Sequence, residues 1–237
     1  MIINIDTKGA EWYAVVWFAQ DAVGIKEILN EVDQHAENQR TFNLPERRIA
    51  KIFVFRLIYG GSAWSYALDP DFNQISKSPK FWQKVIDRFY EKYSGIKKQH
   101  DKWMSEAVNT GRLIMPTGRI YTFKPFLKNG GLEWPRTCIV NYPVQGFAND
   151  LVTIARVSLF KRVNLMKHKD ILFVSTVHDS VAIDTPERYV GEIVSIIREV
   201  FSDVPRNFSR LFGVEFNLPV RCEISIGPNM KELDKIQ

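Results

Sequence analysis

P45-E-R-R-I-A-K-I-F-V-F-R-L-I-Y-G60 is the stretch on which the reading of this chain turns. Pro45, placed in a first turn where its missing N–H is harmless, predicts a helix starting at Glu46. Arg47, Lys51, Phe55 and Tyr59 recur at every fourth residue. At ~100° per residue they share one stripe, within about 120° of arc and roughly 18 Å long. Its first half is cationic, at a helix end whose dipole and free N–H groups favour phosphate. Its second half offers aromatic faces on which a base or sugar can stack. A nucleoside triphosphate would fit along this stripe, phosphates first. The same spacing also describes an amphipathic helix with core aromatics and solvated cations, so the stripe alone leaves both readings open.

Outward from this helix, Ile2, Ile3 and Ile5 form a short strand-like run into Asp6. Residues 10–32 read as irregular helix with a break at Gly24, and residues 69–78 as turns. Pro79 opens a long helical segment, interrupted near Gly95 and ended by Gly111. Residues 112–134 look like hairpin and loop, with Gly118 and Gly130-Gly131 as turn signals. A helix is expected over residues 141–167 after Pro143. Two apolar runs, 171–177 and 181–184, flank His178-Asp179-Ser180 as a hairpin; 187–201 reads as amphipathic helix and 215–226 as strand. Strands at both ends and helices between predict an α+β fold.

The 237 residues suit one large domain or one and a half average ones. Hydrophobic residues at 45% exclude a mostly disordered chain. Lys+Arg 32 against Asp+Glu 27 gives +5, which permits a polyanionic partner without requiring one. Basic stretches at 80–102 and 124–128 are candidate patches for such a polyanion. Cys138 and Cys222 cannot build a disulfide framework and suit a reducing compartment. No apolar run is long enough to span a bilayer, and the N-terminus lacks the marks of a signal peptide, so a soluble, intracellular-type (cytoplasmic) protein and no membrane partner are expected.

Asp6 ends a strand and Asp179 lies in a hairpin turn, so each carboxylate is expected at a sheet edge. Two carboxylates from separate strands are the minimum for holding two Mg²⁺ ions, which prefer oxygen ligands and can promote phosphoryl transfer. Either Asp alone would read as turn chemistry.

Together these residues resemble family A DNA polymerases, the class of bacterial DNA polymerase I and many phage replicative enzymes. Asp6-Thr7-Lys8-Gly9-Ala10-Glu11 looks like motif A (D-x-S-Q-x-E). Arg47-x₃-Lys51-x₃-Phe55-x₃-Tyr59-Gly60 looks like motif B, and Val177-His178-Asp179-Ser180 like motif C (V-H-D-E). Asp33-Gln34-His35, Thr117-Gly118-Arg119, Asn141-Tyr142-Pro143-Val144-Gln145-Gly146 and Gly227-Pro228-Asn229 are similar to further family elements. The resemblance covers essentially the whole chain. It implies an antiparallel palm sheet flanked by helices with a helical fingers insertion: palm at 1–13, fingers at 14–131 and palm again at 132–237, with thumb and exonuclease absent.

The resemblance implies roles as well. Asp6, Asp179 and the Thr7 carbonyl would hold two Mg²⁺ ions, with Mn²⁺ as an alternative. Arg47, Lys51 and His35 would contact the dNTP triphosphate, with Lys51 also a general acid toward pyrophosphate. Phe55 and Tyr59 would lie along sugar and base, and Glu11 would exclude a 2′-OH. Arg136, Asn141, Gln145 and His178 would contact primer-template DNA. Gly9 and Tyr13 depart from the motif A pattern, Val54 and Arg56 from motif B, and Ser180 from motif C. His100 and His168 read as surface residues. The expected activity is template-directed addition of dNMP to a primer 3′-OH. Because Met1 stands five residues before Asp6, a second polypeptide supplying thumb and upstream palm is expected, making a split polymerase. The alternatives are a non-catalytic nucleic-acid-binding or assembly subunit, and an RNA-synthesising relative, against which Glu11 counts.

Overall fold

A computed structural model describes residues 1–128 and 130–236. The chain divides into two compact units: Met1–Tyr13 with Gly146–Gln237, and the intervening Ala14–Gln145. The first strand is β1 (Ile2–Thr7). Helices α1 (Ala10–Ala19), α2 (Ala22–Leu29), α3 (Gln34–Phe42) and α4 (Arg47–Ile58) follow. After them come α5 (Ala63–Leu68), α6 (Pro70–Asn73), α7 (Pro79–Lys92) and α8 (Ser94–Thr110). Two short hairpins, β2 (Arg112–Ile114) with β3 (Ile120–Thr122) and β4 (Phe126–Lys128) with β5 (Gly131–Glu133), lead into α9 (Arg136–Leu165). The chain closes with β6 (Leu172–Val177), β7 (Ser180–Asp184), α10 (Val190–Phe212), β8 (Cys222–Asn229) and β9 (Glu232–Ile236).

The first unit is an antiparallel sheet in the order β6-β7-β1-β8-β9, so the first strand of the chain is its centre. Alternation along β1 buries Ile3, Ile5 and Thr7 on one face and leaves Ile2, Asn4 and Asp6 on the other. Val152, Ala155 and Leu159 of α9 and Phe201 of α10 meet Ile5, Thr7 and Val181 on the buried face. An apolar stripe along α10, including Ile193, Ile197, Val200, Val204 and Phe208, supplies much of this core.

The second unit is helical and built round an aromatic core. Phe53 of α4 lies 5.0 Å from the ring of Tyr66, which lies 5.1 Å from Phe72, which lies 5.3 Å from Trp82. Their polar atoms are satisfied inside: Tyr66 Oη donates to the Phe53 carbonyl (2.8 Å) and Trp82 Nε1 to the Ser76 carbonyl (2.7 Å). A second buried group is polar. Lys92 Nζ pairs with Glu27 (2.9 Å) and donates to Asn38 Oδ1 (2.9 Å), while Tyr93 Oη donates to both Glu27 (2.7 Å) and Asn38 (2.9 Å). Desolvation and the Glu27 carboxylate raise the Tyr93 pKa, so its hydroxyl stays a donor.

The α+β class and the helical insertion agree with the sequence reading; several local expectations are corrected. Pro45 precedes the cap of α4, which is Glu46, and Tyr59 is its C-cap rather than a helical residue. Gly24 is no break: it lies inside α2, where a Cβ would come within 2.6 Å of Val16, and the break falls at Gln20, in the left-handed region at φ 44°. The expected interruption near Gly95 is present, at Tyr93 between α7 and α8, and Gly95 in the first turn of α8 donates its N–H to Asp21 Oδ2 at 2.8 Å. Pro143 does not start α9 but sits within it, and α10 runs through Pro205 to Phe212, well past the expected 201. Residues 215–221 are not strand, and β9 was not foreseen. His100 is completely buried, whereas His168 is exposed and stacks on Tyr189.

Candidate active site

In the first unit, strand pairing assembles the motif A and motif C residues. The two-residue turn His178–Asp179 joins β6 to β7, with Val177 opposite Ser180. His178 holds φ 52°, a left-handed conformation that short polar residues tolerate better than apolar ones. The Thr7 N–H donates to the Asp179 carbonyl at 3.1 Å, and Asp6 stands directly across from Ser180. The end of β1 that carries Asp6 and Thr7 thus lies against the turn that carries Asp179. Ser180 Oγ donates to the Val177 carbonyl (2.9 Å), so the hydroxyl in the place of the usual Glu closes the turn. Gly9, in the place of the usual Gln, holds φ 58° at the bend between β1 and α1, a conformation that favours glycine. Beyond the bend, Glu11 stands half-buried in the first turn of α1.

The sequence reading missed Glu223. It faces Asp6 across the β1–β8 pair and is held by Lys235 Nζ at 2.8 Å. Only the register shows this. Among the described residues no group of three or more His, Cys, Asp or Glu gathers as a metal site. The donor set of Asp6, Asp179 and the Thr7 carbonyl is all oxygen, which fits a hard divalent cation whose remaining ligands come from water and phosphate.

In the second unit, α4 presents two faces. Ile49, Ala50, Phe53, Val54, Leu57 and Ile58 are buried, whereas Arg47 and Lys51 are exposed and Phe55 and Tyr59 half-buried. The core aromatic of this helix is therefore Phe53, and the stripe of the sequence reading lies on the accessible side. Lys51 Nζ sits 6.0 Å from the Phe55 ring centre, and the Phe55 and Tyr59 rings are 6.2 Å apart. His35 comes alongside, 5.8 Å from Phe55. Burial, Arg47 and Lys51 depress its pKa to about 4, so the imidazole is neutral near pH 7. Its Nδ1 is buried without a hydrogen-bond partner. The Glu46 side chain makes no capping bond, so no cap side chain takes the first-turn N–H groups of α4. Arg56 is not a free cation. It donates to Asp69 (2.6 Å) and the Ser65 carbonyl (3.1 Å), with its guanidinium 5.4 Å from Tyr66 and 5.0 Å from Phe72.

Arg136 opens α9 close to Tyr90 and the buried His100, acting on the titration of both. Asn141 and Gln145 follow one turn apart on α9, and Asn141 Oδ1 is buried without a partner. The predicted residues thus fall into two groups, Asp6, Thr7, Glu11, His178 and Asp179 in one unit and His35, Arg47, Lys51, Phe55, Tyr59, Arg136, Asn141 and Gln145 in the other.

A family model described as DNA polymerase family A matches residues 2–232. The chain belongs to this family. Curated relatives include DNA polymerase I of Pseudomonas aeruginosa, 26% identical over 98% of this chain and 25% of the relative. Another is DNA polymerase I of Chloroflexus aurantiacus, 24% identical over 81% of this chain and 19% of the relative. The chain therefore spans a quarter or less of the length of these family members. Among solved structures, the POL domain of Pol1 from M. smegmatis, in complex with DNA primer-template and dNTP, matches with a TM-score of 0.78. That match has 18% identity and covers 95% of this chain and 39% of the other, a likeness of fold.

Proposed function

We propose that this chain carries out template-directed DNA synthesis, adding dNMP from a dNTP to a primer 3′-OH. The observation that carries the reading is the accessible Arg47–Lys51–Phe55–Tyr59 stripe on a helix whose other face is core, in a chain of this family. In this reading the sheet unit is the palm and the helical unit the fingers. Arg47, Lys51 and neutral His35 bind the triphosphate, helped by the open N-terminus of α4. Lys51 gives a proton to departing pyrophosphate. Phe55 and Tyr59 stack along base and sugar, and Glu11 fills the space a 2′-OH needs. Arg136, Asn141, Gln145 and His178 contact primer-template DNA.

Asp6, Asp179 and the Thr7 carbonyl would hold divalent cations, Mg²⁺ in this reading. Such ions supply charge neutralisation at phosphate and a more acidic 3′-OH. The cytoplasm is the proposed location; no helix of the described residues is long and apolar enough to cross a membrane.

A further polypeptide segment, which a second chain could supply, is proposed at edge strand β6. There Leu172, Val174 and Val177 are exposed, and Phe160 of α9, also exposed, meets the ring of Phe173 at 5.2 Å. An unpaired strand edge with apolar side chains is costly to leave in water.

Primer extension by the full chain, wild type against Asp179→Ala, tests the activity. Templated, Mg²⁺-dependent extension that falls on the order of a hundredfold or more in the variant is expected. A folded wild type that binds primer-template but extends nothing, with or without added partner segments, would support the non-catalytic alternative instead.

A further inference from the structure

The Asp33 carboxylate joins the N-terminal ends of two helices. Its Oδ1 accepts from the backbone N–H groups of His35 (3.0 Å) and Ala36 (3.1 Å), capping α3. Its Oδ2 accepts from Arg47 Nε at 2.7 Å, on the first residue of α4. One side chain therefore sets the backbone that carries His35 and the head of Arg47 together. We infer that Asp33 is a positioning residue, holding the Arg47 guanidinium and the His35 ring in the arrangement that receives a triphosphate; this rests on the proposed triphosphate role of α4.

Three observations favour positioning over structural support. The pair is open to solvent, with side chains 55% and 48% exposed, and such pairs contribute little to stability. The cap needs only an uncharged acceptor, which Asn or Ser supplies as well. The contact uses Nε, leaving the Nη groups for a bidentate phosphate contact. Burial of Asp33 opposes ionisation. Even so, the bonds from Arg47, Ala36 and His35 hold its carboxyl below the usual carboxylate range, so the tether persists at neutral pH. Removing it returns a long, rotamer-rich side chain to solvent, and binding must then order that side chain again.

The test is calorimetric titration of the full chain with sodium tripolyphosphate, run beside steady-state primer extension. Asp33→Asn keeps the cap oxygen but replaces Oδ2 with a donor that cannot accept from Arg47. Tripolyphosphate affinity should weaken ~3–10-fold, and the dNTP KM should rise similarly with kcat little changed. The thermal midpoint should stay close to wild type, and Asp33→Ser should behave like Asp33→Asn. In an Arg47→Ala background, Asp33→Asn should have almost no further effect. Unchanged or tighter tripolyphosphate binding by Asp33→Asn, an equal loss in the Arg47→Ala background, or no binding by wild type would each overturn the inference. Weakened binding in the variant of a wild type that extends no primer would leave Asp33 standing and remove the catalytic reading. Active extension with a silent Asp33→Asn would do the reverse.

Discussion

Acidification should destabilise this protein through His100, and the size of the effect can be worked out. The ring is fully buried on α8, stacked 6.2 Å from Trp103, with Tyr90 Oη 3.2 Å from Nδ1 and no partner for Nε2. Burial, followed by the Arg136 guanidinium and with a smaller push from Lys97, lowers its pKa from 6.5 to about 4, and Asp101 only partly opposes this. A histidine with a depressed folded-state pKa binds protons more readily when unfolded. Its contribution is therefore fully present above about pH 6.5 and is lost as pH falls toward 4. Integrating proton binding from about pH 7 to 5 with these two values gives about 2 kcal/mol lost at this one side chain. For a chain of this size that corresponds to about 4–8 °C in thermal midpoint. His35 is depressed in the same direction, so wild type alone would report a sum. The assay is therefore a difference: urea unfolding of wild type and His100→Leu at pH 7 and 5. Whatever its baseline stability, the variant should lose about 2 kcal/mol less on acidification than wild type. Identical acid losses in both proteins would refute the reasoning, because they would mean that His100 titrates alike in folded and unfolded chains.

Three further outcomes follow from the geometry. Arg56→Ala removes a half-buried ion pair, a carbonyl bond and two ring contacts, and should cost about 2 kcal/mol by denaturant titration while DNA affinity changes little. Lys92→Met strands the Glu27 carboxylate in a buried site and should cost about 3–5 kcal/mol, visible as a lowered thermal midpoint; replacing Lys92 and Glu27 together should cost less than Lys92→Met alone. Glu11→Ala should raise ribonucleotide incorporation relative to dNTP in primer extension, and an unchanged ratio would count against the gate role.

Much of the site was legible because period and polarity agreed. The Arg47–Tyr59 stripe needed only the helical repeat, and Val177-His178-Asp179-Ser180 needed only apolar runs on either side of a turn. What sequence could not decide was which aromatic of α4 faces the core. Phe53 and Phe55 lie two residues apart, about 200° round the helix, and only packing against Tyr66 and Trp82 buries the first. His100 was misplaced because a polar residue was read as a surface one, although Ile96, Trp103 and Ala107 mark the same buried stripe. Pro143 was read as a helix start, and the last helix was ended at Phe201, short of Pro205. Yet each helix continues through its proline, and in α10 the buried Val204 and Phe208 extend the stripe begun at Ile193 and Ile197. The strand β9, Glu-Leu-Asp-Lys-Ile, carries too little apolar alternation to announce itself and is held by backbone pairing with β8. Glu223 opposite Asp6 is a matter of register, which no local pattern encodes.

The place of β1 at the centre of the sheet has a consequence for synthesis. Its hydrogen-bonding partners are Ser180–Asp184 on one side and Cys222–Gly227 on the other, so neither flank is made until most of the chain has been translated. Residues 14–145 are contiguous and can settle while the ribosome is still working, but Ile2, Ile3 and Ile5 must wait for their β7 and β8 partners. Pairing of β1 with these distant strands is a high-contact-order step, slow to form and leaving an apolar segment open to misassociation until it does. Asp6 waits with that strand, and comes level with the His178–Asp179 turn only when the pairing is made.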